Sequence, residues 1–107
     1  MDEPRYQQLA EKCFKQVEDA FTNIDVEDID CERAGDVLTL TMKGGKRCVL
    51  NTQRPTRQMW LAANARAWHF SYDESDQRWH DDKDGEIELF AMLVRIAKDA
   101  GVALTIG

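Results

Sequence analysis

Tyr6, Leu9, Ala10, Cys13, Phe14, Val17, Ala20 and Phe21 recur at steps of three and four residues. That spacing lines one face of an α-helix, and it predicts an amphipathic helix over residues 4–21. Pro4 suits its first turn. Glu11, Lys15, Glu18 and Asp19 fall on the other face. Past the acidic connection Asn23–Asp28 the apolar period drops to two residues, the signature of half-buried strands. Strands are predicted over 29–32, 37–42, 47–52, 58–63, 68–72 and 77–80. Gly35-Asp36, Gly44-Gly45, Arg54-Pro55 and Asp73–Asp76 punctuate them. Ile87, Phe90, Ala91, Val94 and Ala97 return to helical spacing and predict a second helix over 86–100. Glu86 and Glu88 would sit in its first turn and Lys98 in its last, as the helix dipole favours. Gly101 is placed to stop it.

A helix, a run of strands with short turns, and a second helix imply an antiparallel meander. Both amphipathic helices can bury their stripes on one sheet face. The expectation is an α+β fold: a two-layer α-β sandwich with two helices on one face of a five- to six-stranded antiparallel sheet. The 107 residues are one domain's worth, so residues 1–107 are expected to form a single domain.

Apolar residues make up 43% and charged residues 32% of the chain, a balance for a folded rather than a disordered protein. The net charge of −6 repels phosphate backbones, so nucleic acid is not an expected partner; cations and basic protein surfaces are. No apolar run reaches membrane-spanning length. The acidic start Met-Asp-Glu-Pro-Arg resembles neither a secretory signal nor a transit peptide. Cys13, Cys31 and Cys48 match no metal or redox spacing and are read as reduced, small apolar residues. A cytoplasmic protein is the expectation.

Charge is segregated along the chain. Between Glu18 and Asp36 stand eight acids (Glu18, Asp19, Asp25, Glu27, Asp28, Asp30, Glu32, Asp36) and one base, Arg33. Between Val37 and Tyr72 there are no acids and six bases. A fold gains no stability from collecting like charges, although such a run is often only a solvated face. If the first helix and first strand are neighbours, Glu18, Asp19, Asp30 and Glu32 share an edge. Carboxylates without His or Cys suit hard cations such as Ca²⁺, Mg²⁺, Mn²⁺ or ferric iron. Lacking a spaced ligand loop, they would bind weakly and at several sites.

In Gln58-Met59-Trp60-Leu61, strand alternation sends Met59 and Leu61 to the core and Gln58 and Trp60 to the face without helices. A large aromatic there is either a contact anchor or an idle surface residue. So placed, its removal should cost within about 1 kcal/mol. His69 and His80 lie in no metal-ligand spacing and are read as surface strand residues. No nucleophile elbow, phosphate loop or dinucleotide fingerprint is present. No enzyme activity and no organic cofactor are expected.

Asp28-Ile29-Asp30-Cys31-Glu32, then Gly35-Asp36-Val37-Leu38-Thr39-Leu40, and above all the N-x-Q-x-P-x-x-Q-x-W-L pattern of Asn51–Leu61 resemble the frataxin family, closest to its bacterial branch. His69-Phe70 and Arg78-Trp79 fit the later strands, so the resemblance runs from Tyr6 to Ala100. It implies the sandwich above, weak binding of ferrous or ferric iron along an acidic ridge, and docking on the cysteine desulfurase and scaffold protein of iron–sulfur cluster assembly. The ridge positions would be Glu18, Asp19, Asp25, Glu27, Asp28, Asp30 and Glu32. The partner surface would be Asn51, Gln53, Gln58 and Trp60. The expected state is a monomer, with oligomers under iron load left open. One departure is Asn64-Ala65-Arg66-Ala67, where relatives often carry Gly-Gly. Two rival readings stand beside this one: an acidic interaction module whose metal binding is incidental, and a ferroxidase. The second would want an E-x-x-H pair on facing helices, which is missing.

Overall fold

The computed structural model describes residues 1–107. Helix α1 covers Glu3–Phe21. The carboxylate of Asp2 caps it, accepting from the Arg5 amide at 2.9 Å. Its buried residues are the predicted stripe, with Ala20 half-covered. Six strands follow: β1 Ile29–Ala34, β2 Val37–Met42, β3 Arg47–Gln53, β4 Gln58–Ala63, β5 Arg66–Asp73 and β6 Arg78–Asp81. Each pairs antiparallel with the next, giving the order β1-β2-β3-β4-β5-β6. Helix α2, Leu89–Asp99, closes the chain ahead of a short tail whose Val102 and Leu104 are buried. Twenty-five buried residues form one core between the helices and the inner sheet face. No helix is long and apolar enough to cross a membrane.

Strand β6 is shifted by one residue from the expected 77–80, because Gln77 sits in the turn at φ 59°, and three larger differences stand beside it. Helix α2 begins at Leu89, not at residue 86. Glu88 is extended, bridges to His80 across the chain, and caps the helix by accepting from the Phe90 and Ala91 amides. The buried stripe is accordingly Leu89, Leu93, Ile96 and Ala97, while Phe90 and Val94 are half-covered and Ala91 is exposed. Strand β5 starts at Arg66 because Asn64 and Ala65, both at positive φ (54° and 61°), make a two-residue hairpin turn that pairs Ala63 directly with Arg66. Strand β1 runs on to Ala34, paired with Val37 around Gly35, whose φ is +59°.

Alternation fixes the two faces of the sheet. Leu38, Leu40, Leu50, Met59, Leu61 and Phe70 point into the core and are almost fully buried. Asp30, Glu32, Thr39, Thr41, Val49, Asn51, Trp60 and His69 occupy the alternate positions, on the face that carries no helix. Tyr6 of α1 ties the far ends of β3 and β4 together: its hydroxyl donates to the Gln58 carbonyl at 2.7 Å and accepts from the Gln53 amide at 3.1 Å.

Candidate functional site

The acids predicted to form a ridge meet along the β1 edge, but on two sides of it. Ile29 enters the core, so Cys31 and Arg33 turn toward α1 while Asp30 and Glu32 project from the open face. Glu18 and Asp19 lie at the end of α1 on the other side of the strand. Arg33 reaches across the gap to Glu18 (Nη1–Oε1, 3.2 Å) and to Glu11 (Nη1–Oε1, 3.0 Å), with a second, closer contact from its Nη2 to Glu11. Its guanidinium lies 4.5 Å from the centre of the Phe14 ring. The pair holds Glu11 below the usual carboxylate range, chiefly through the Arg33 hydrogen bond.

Arg33 thus engages one of the seven predicted ridge residues. Asp19, Asp25, Glu27, Asp28, Asp30 and Glu32 make no ion pair. The connection that carries three of them is an ordered turn. Asp25 Oδ1 accepts from the Glu27 amide at 2.9 Å, and the Asp28 carbonyl accepts from the Lys43 amide at 3.1 Å, which ties the turn to the β2–β3 hairpin. At its tip Val26 is 68% exposed, an apolar side chain amid carboxylates. No three ridge carboxylates converge on a common point; the only convergent trio of potential ligands in the chain is Asp73, Asp76 and His80. The ridge is therefore a strip of negative potential rather than a cage, suited to loosely held cations or a basic surface.

The second predicted surface is assembled on the open face by cross-strand register. Asn51 lies opposite Trp60, and Trp60 opposite His69. The Trp60 and His69 rings stack, with centroids 4.0 Å apart and planes at 14°. Trp60 Nε1 donates to Gln58 Oε1 at 3.0 Å. Gln58 Nε2 donates in turn to Ser71 Oγ (3.1 Å) and to Asp82 Oδ2 (3.0 Å), which also stands 3.9 Å from His69 Nδ1. Gln58 does point away from the core, as the alternation requires, yet it is only 8% exposed. It is a buried clamp that orients Trp60, not a free contact residue. Gln53 is half-buried at the end of β3, in register with Gln58. Asn51 Oδ1 is buried with no hydrogen-bond partner.

Sequence reasoning missed His69, Asp82 and Ser71 as parts of this surface, and missed Arg33 as the organiser of the helix side of the ridge. A signal for His69 was present, since the hairpin register places it beside Trp60.

The sequence model of the frataxin-like domain matches residues 1–101. This chain belongs to the frataxin family. Among its relatives, "Iron-sulfur cluster assembly protein CyaY" of Pseudomonas aeruginosa is 41% identical over 101 residues, covering 94% of this chain and 92% of that protein. The protein of the same name from Pseudomonas fluorescens is 40% identical over 98 residues, covering 92% and 87%. The solved frataxin of Psychromonas ingrahamii superposes with a TM-score of 0.85 at 27% identity, covering 97% of this chain and 96% of that one. The frataxin sandwich of two helices on an antiparallel sheet is therefore this chain's fold, with six strands.

Proposed function

We propose that this frataxin acts in iron–sulfur cluster assembly, as its relatives named for that process do. It binds iron weakly along the acidic ridge, docks through that ridge on the cysteine desulfurase, and turns its Trp60 surface toward the assembled complex. The observation that carries this reading is the strip of six carboxylates left without ion pairs at one sheet edge. Unpaired charge of one sign raises the encounter rate with a basic partner at low salt. Oxygen-only ligands suit hard cations. The ordered platform of Trp60 and His69 offers a rigid aromatic contact. The role is regulatory: iron is cargo, and no residue is assigned a catalytic part.

The lack of convergence among the ridge carboxylates favours a second reading, an acidic docking module in which cation binding is incidental. One set of variants separates the two. Neutralising Asp19, Asp30 and Glu32 together, as Asn and Gln, should weaken desulfurase binding and flatten its salt dependence. Ferrous or lanthanide titration followed by nuclear magnetic resonance should perturb the end of α1 and β1 in the native chain and not in the variant. Loss of partner binding with no metal response in either chain supports the module. An affinity that is equal at low and high salt overturns both.

A further inference from the structure

The six bases of the acid-free stretch between Val37 and Tyr72 divide into two groups. Arg54 and Arg57, at one end of the sheet, stand 4.0 Å from Asp36 and 3.0 Å from Glu3. Lys43, Lys46, Arg47 and Arg66 make no ion pair. All four are exposed, at the β2–β3 and β4–β5 hairpins. The register of Cys48 with Ala63 sets these hairpins side by side at the other end. Charges left unpaired in water add nothing to the fold and stay free for an outside partner.

The open sheet face beside the β2–β3 hairpin has a shape as well as a charge. Arg47 stands on that face, opposite Thr41. Four residues along β3, about 13 Å away, comes the row in which Asn51, Trp60 and His69 lie side by side. Between the two runs a row of small side chains, Val49, Ala62 and Ala67, in register across three strands. Ala62 and Ala67 are exposed although β4 and β5 lie inside the sheet. Trp60 leaves them uncovered because its N–H turns back to Gln58 rather than on toward Ala62. The result is a trough. Its floor is small side chains, one wall is an aromatic ring held by Gln58 and the His69 stack, and the other wall is cationic.

We propose that this trough seats an amphipathic helix of a protein partner, one whose flank carries Asp and Glu. A helix with its side chains is about 10–12 Å across, which matches the gap between Arg47 and the Trp60 row. The small floor lets it approach the sheet. Its carboxylates then meet Lys43, Lys46 and Arg47, and its apolar stripe meets Trp60. Arg66 shares the inward side of β5 with Trp68, its guanidinium 5.3 Å from that ring, and adds positive potential from outside the trough. Asp30, the nearest acid on the open face, lies across Thr41 from Arg47 and makes no ion pair. One sheet face thus presents acid at its β1 edge and base at its hairpin end, and a partner must match both in that order. Nucleic acid is the other polyanion a basic patch could hold, but the net charge of −6 and the acids of β1 repel a phosphate backbone. The inference rests on reading the Trp60 surface as a contact face, and adds the class of partner.

The probe is a synthetic peptide of about 20 residues, long enough to hold a helix, with an Ala/Leu stripe and a Glu flank. It is titrated into the full chain at low salt with amide resonances followed. The expected result is a saturable response at residues 46–49, 60–62 and 67–69 that weakens as salt rises. The same peptide with Gln in place of Glu should bind about tenfold more weakly or worse. Arg47→Glu reverses the cationic wall, and Ala62→Gln fills the floor without changing charge. Each should weaken binding of the Glu peptide by a similar factor. Both positions are exposed, so the urea midpoints of the variants should stay near that of the native chain. No response, or a response confined to residues 43–47 that ignores Ala62→Gln, would overturn the proposal and leave the hairpin as diffuse positive charge. A single-stranded oligonucleotide that binds as tightly as the peptide would overturn it in favour of nucleic acid. The reading of Trp60 as a contact face fails separately, if Trp60→Ala leaves binding to the desulfurase–scaffold complex intact.

Discussion

Removing Trp60 tests whether the open-face platform is an ordered part of the fold. An indole freely exposed on a sheet would cost within about 1 kcal/mol to truncate. Trp60 instead stacks on His69 at 4.0 Å and donates to Gln58. A Trp side chain carries about 250 Å² of surface. With half or more of that covered, truncation to Ala returns about 100–150 Å² to water, or about 2.5–4 kcal/mol at about 25 cal/mol per Å². A compact unfolded chain lowers this by roughly 10–40%, to about 2–3 kcal/mol. The ring stack adds about 0.5–1.5 kcal/mol. The lost hydrogen bond adds little, because water reaches Gln58 Oε1 once the indole is gone. Trp60→Ala should therefore cost about 2.5–4.5 kcal/mol, less than the cost of emptying a fully buried site only at its lower end. Trp68 and Trp79, both in the core, remain as fluorescence reporters for urea unfolding. A double-mutant cycle with His69→Ala isolates the stack and should return a coupling of about 0.5–1.5 kcal/mol. A loss below about 1 kcal/mol with no coupling would refute the reasoning: Trp60 would then be a mobile surface ring and Gln58 no clamp.

Arg33→Gln should lower stability at neutral pH, because Glu11 and Glu18 then face each other without their cation. Glu11's folded pKa is lowered below 4.5 by Arg33, so the pair's contribution is present above that value and fades as pH falls through the lowered folded pKa; urea midpoints of the two proteins should converge on acidification, and a gap that stays constant refutes the pairing. Ala65→Gly should stabilise the chain by about 1 kcal/mol, raising Tm by roughly 4–8 °C, because a non-glycine residue at φ 61° is strained; an unchanged Tm refutes the strain. Burial pushes the Cys31 thiol up to about 11 and the Cys48 thiol up to about 12, and raises Cys13 as well. A thiol-specific dye near neutral pH should therefore leave all three free cysteines of the native chain almost unreacted and label them on unfolding; rapid native labelling of Cys13 or Cys48 would contradict the packing.

What was legible in the sequence was what depends on local period. Two-residue alternation placed Met59 and Leu61 inside and Trp60 outside. The three- and four-residue steps of α1 named its buried face, and the glycines marked two of the turns. The start of α2 was not legible, because residues 87–97 are apolar on several sides and allow more than one stripe; only the bridge between Glu88 and His80 decides which is buried. Nor was the turn at Asn64-Ala65, where two non-glycine residues adopt a conformation that glycine usually signals. The ridge acids could be named from charge segregation, but their division between two sides of β1 follows from the strand's phase. Arg33's grip on Glu11 and Glu18 spans 22 and 15 residues. The clamp on Trp60 likewise joins Gln58 to Ser71 and Asp82, 13 and 24 residues away. Such contacts belong to register, and local pattern does not encode them.

Strand β1 ends the sheet, and its outer backbone groups form a template onto which another chain could add a strand. Asp30 and Glu32 rise from that strand, so the ridge also works as a guard rail: a second copy sliding in edge to edge would bring carboxylate against carboxylate. Whatever silences those charges, whether acid, a bound cation or an Asn/Gln substitution, lowers the rail. Binding experiments with neutralised ridge variants therefore need their association state measured in the same buffer, since a lost partner and a newly gained neighbour would both reduce the apparent affinity.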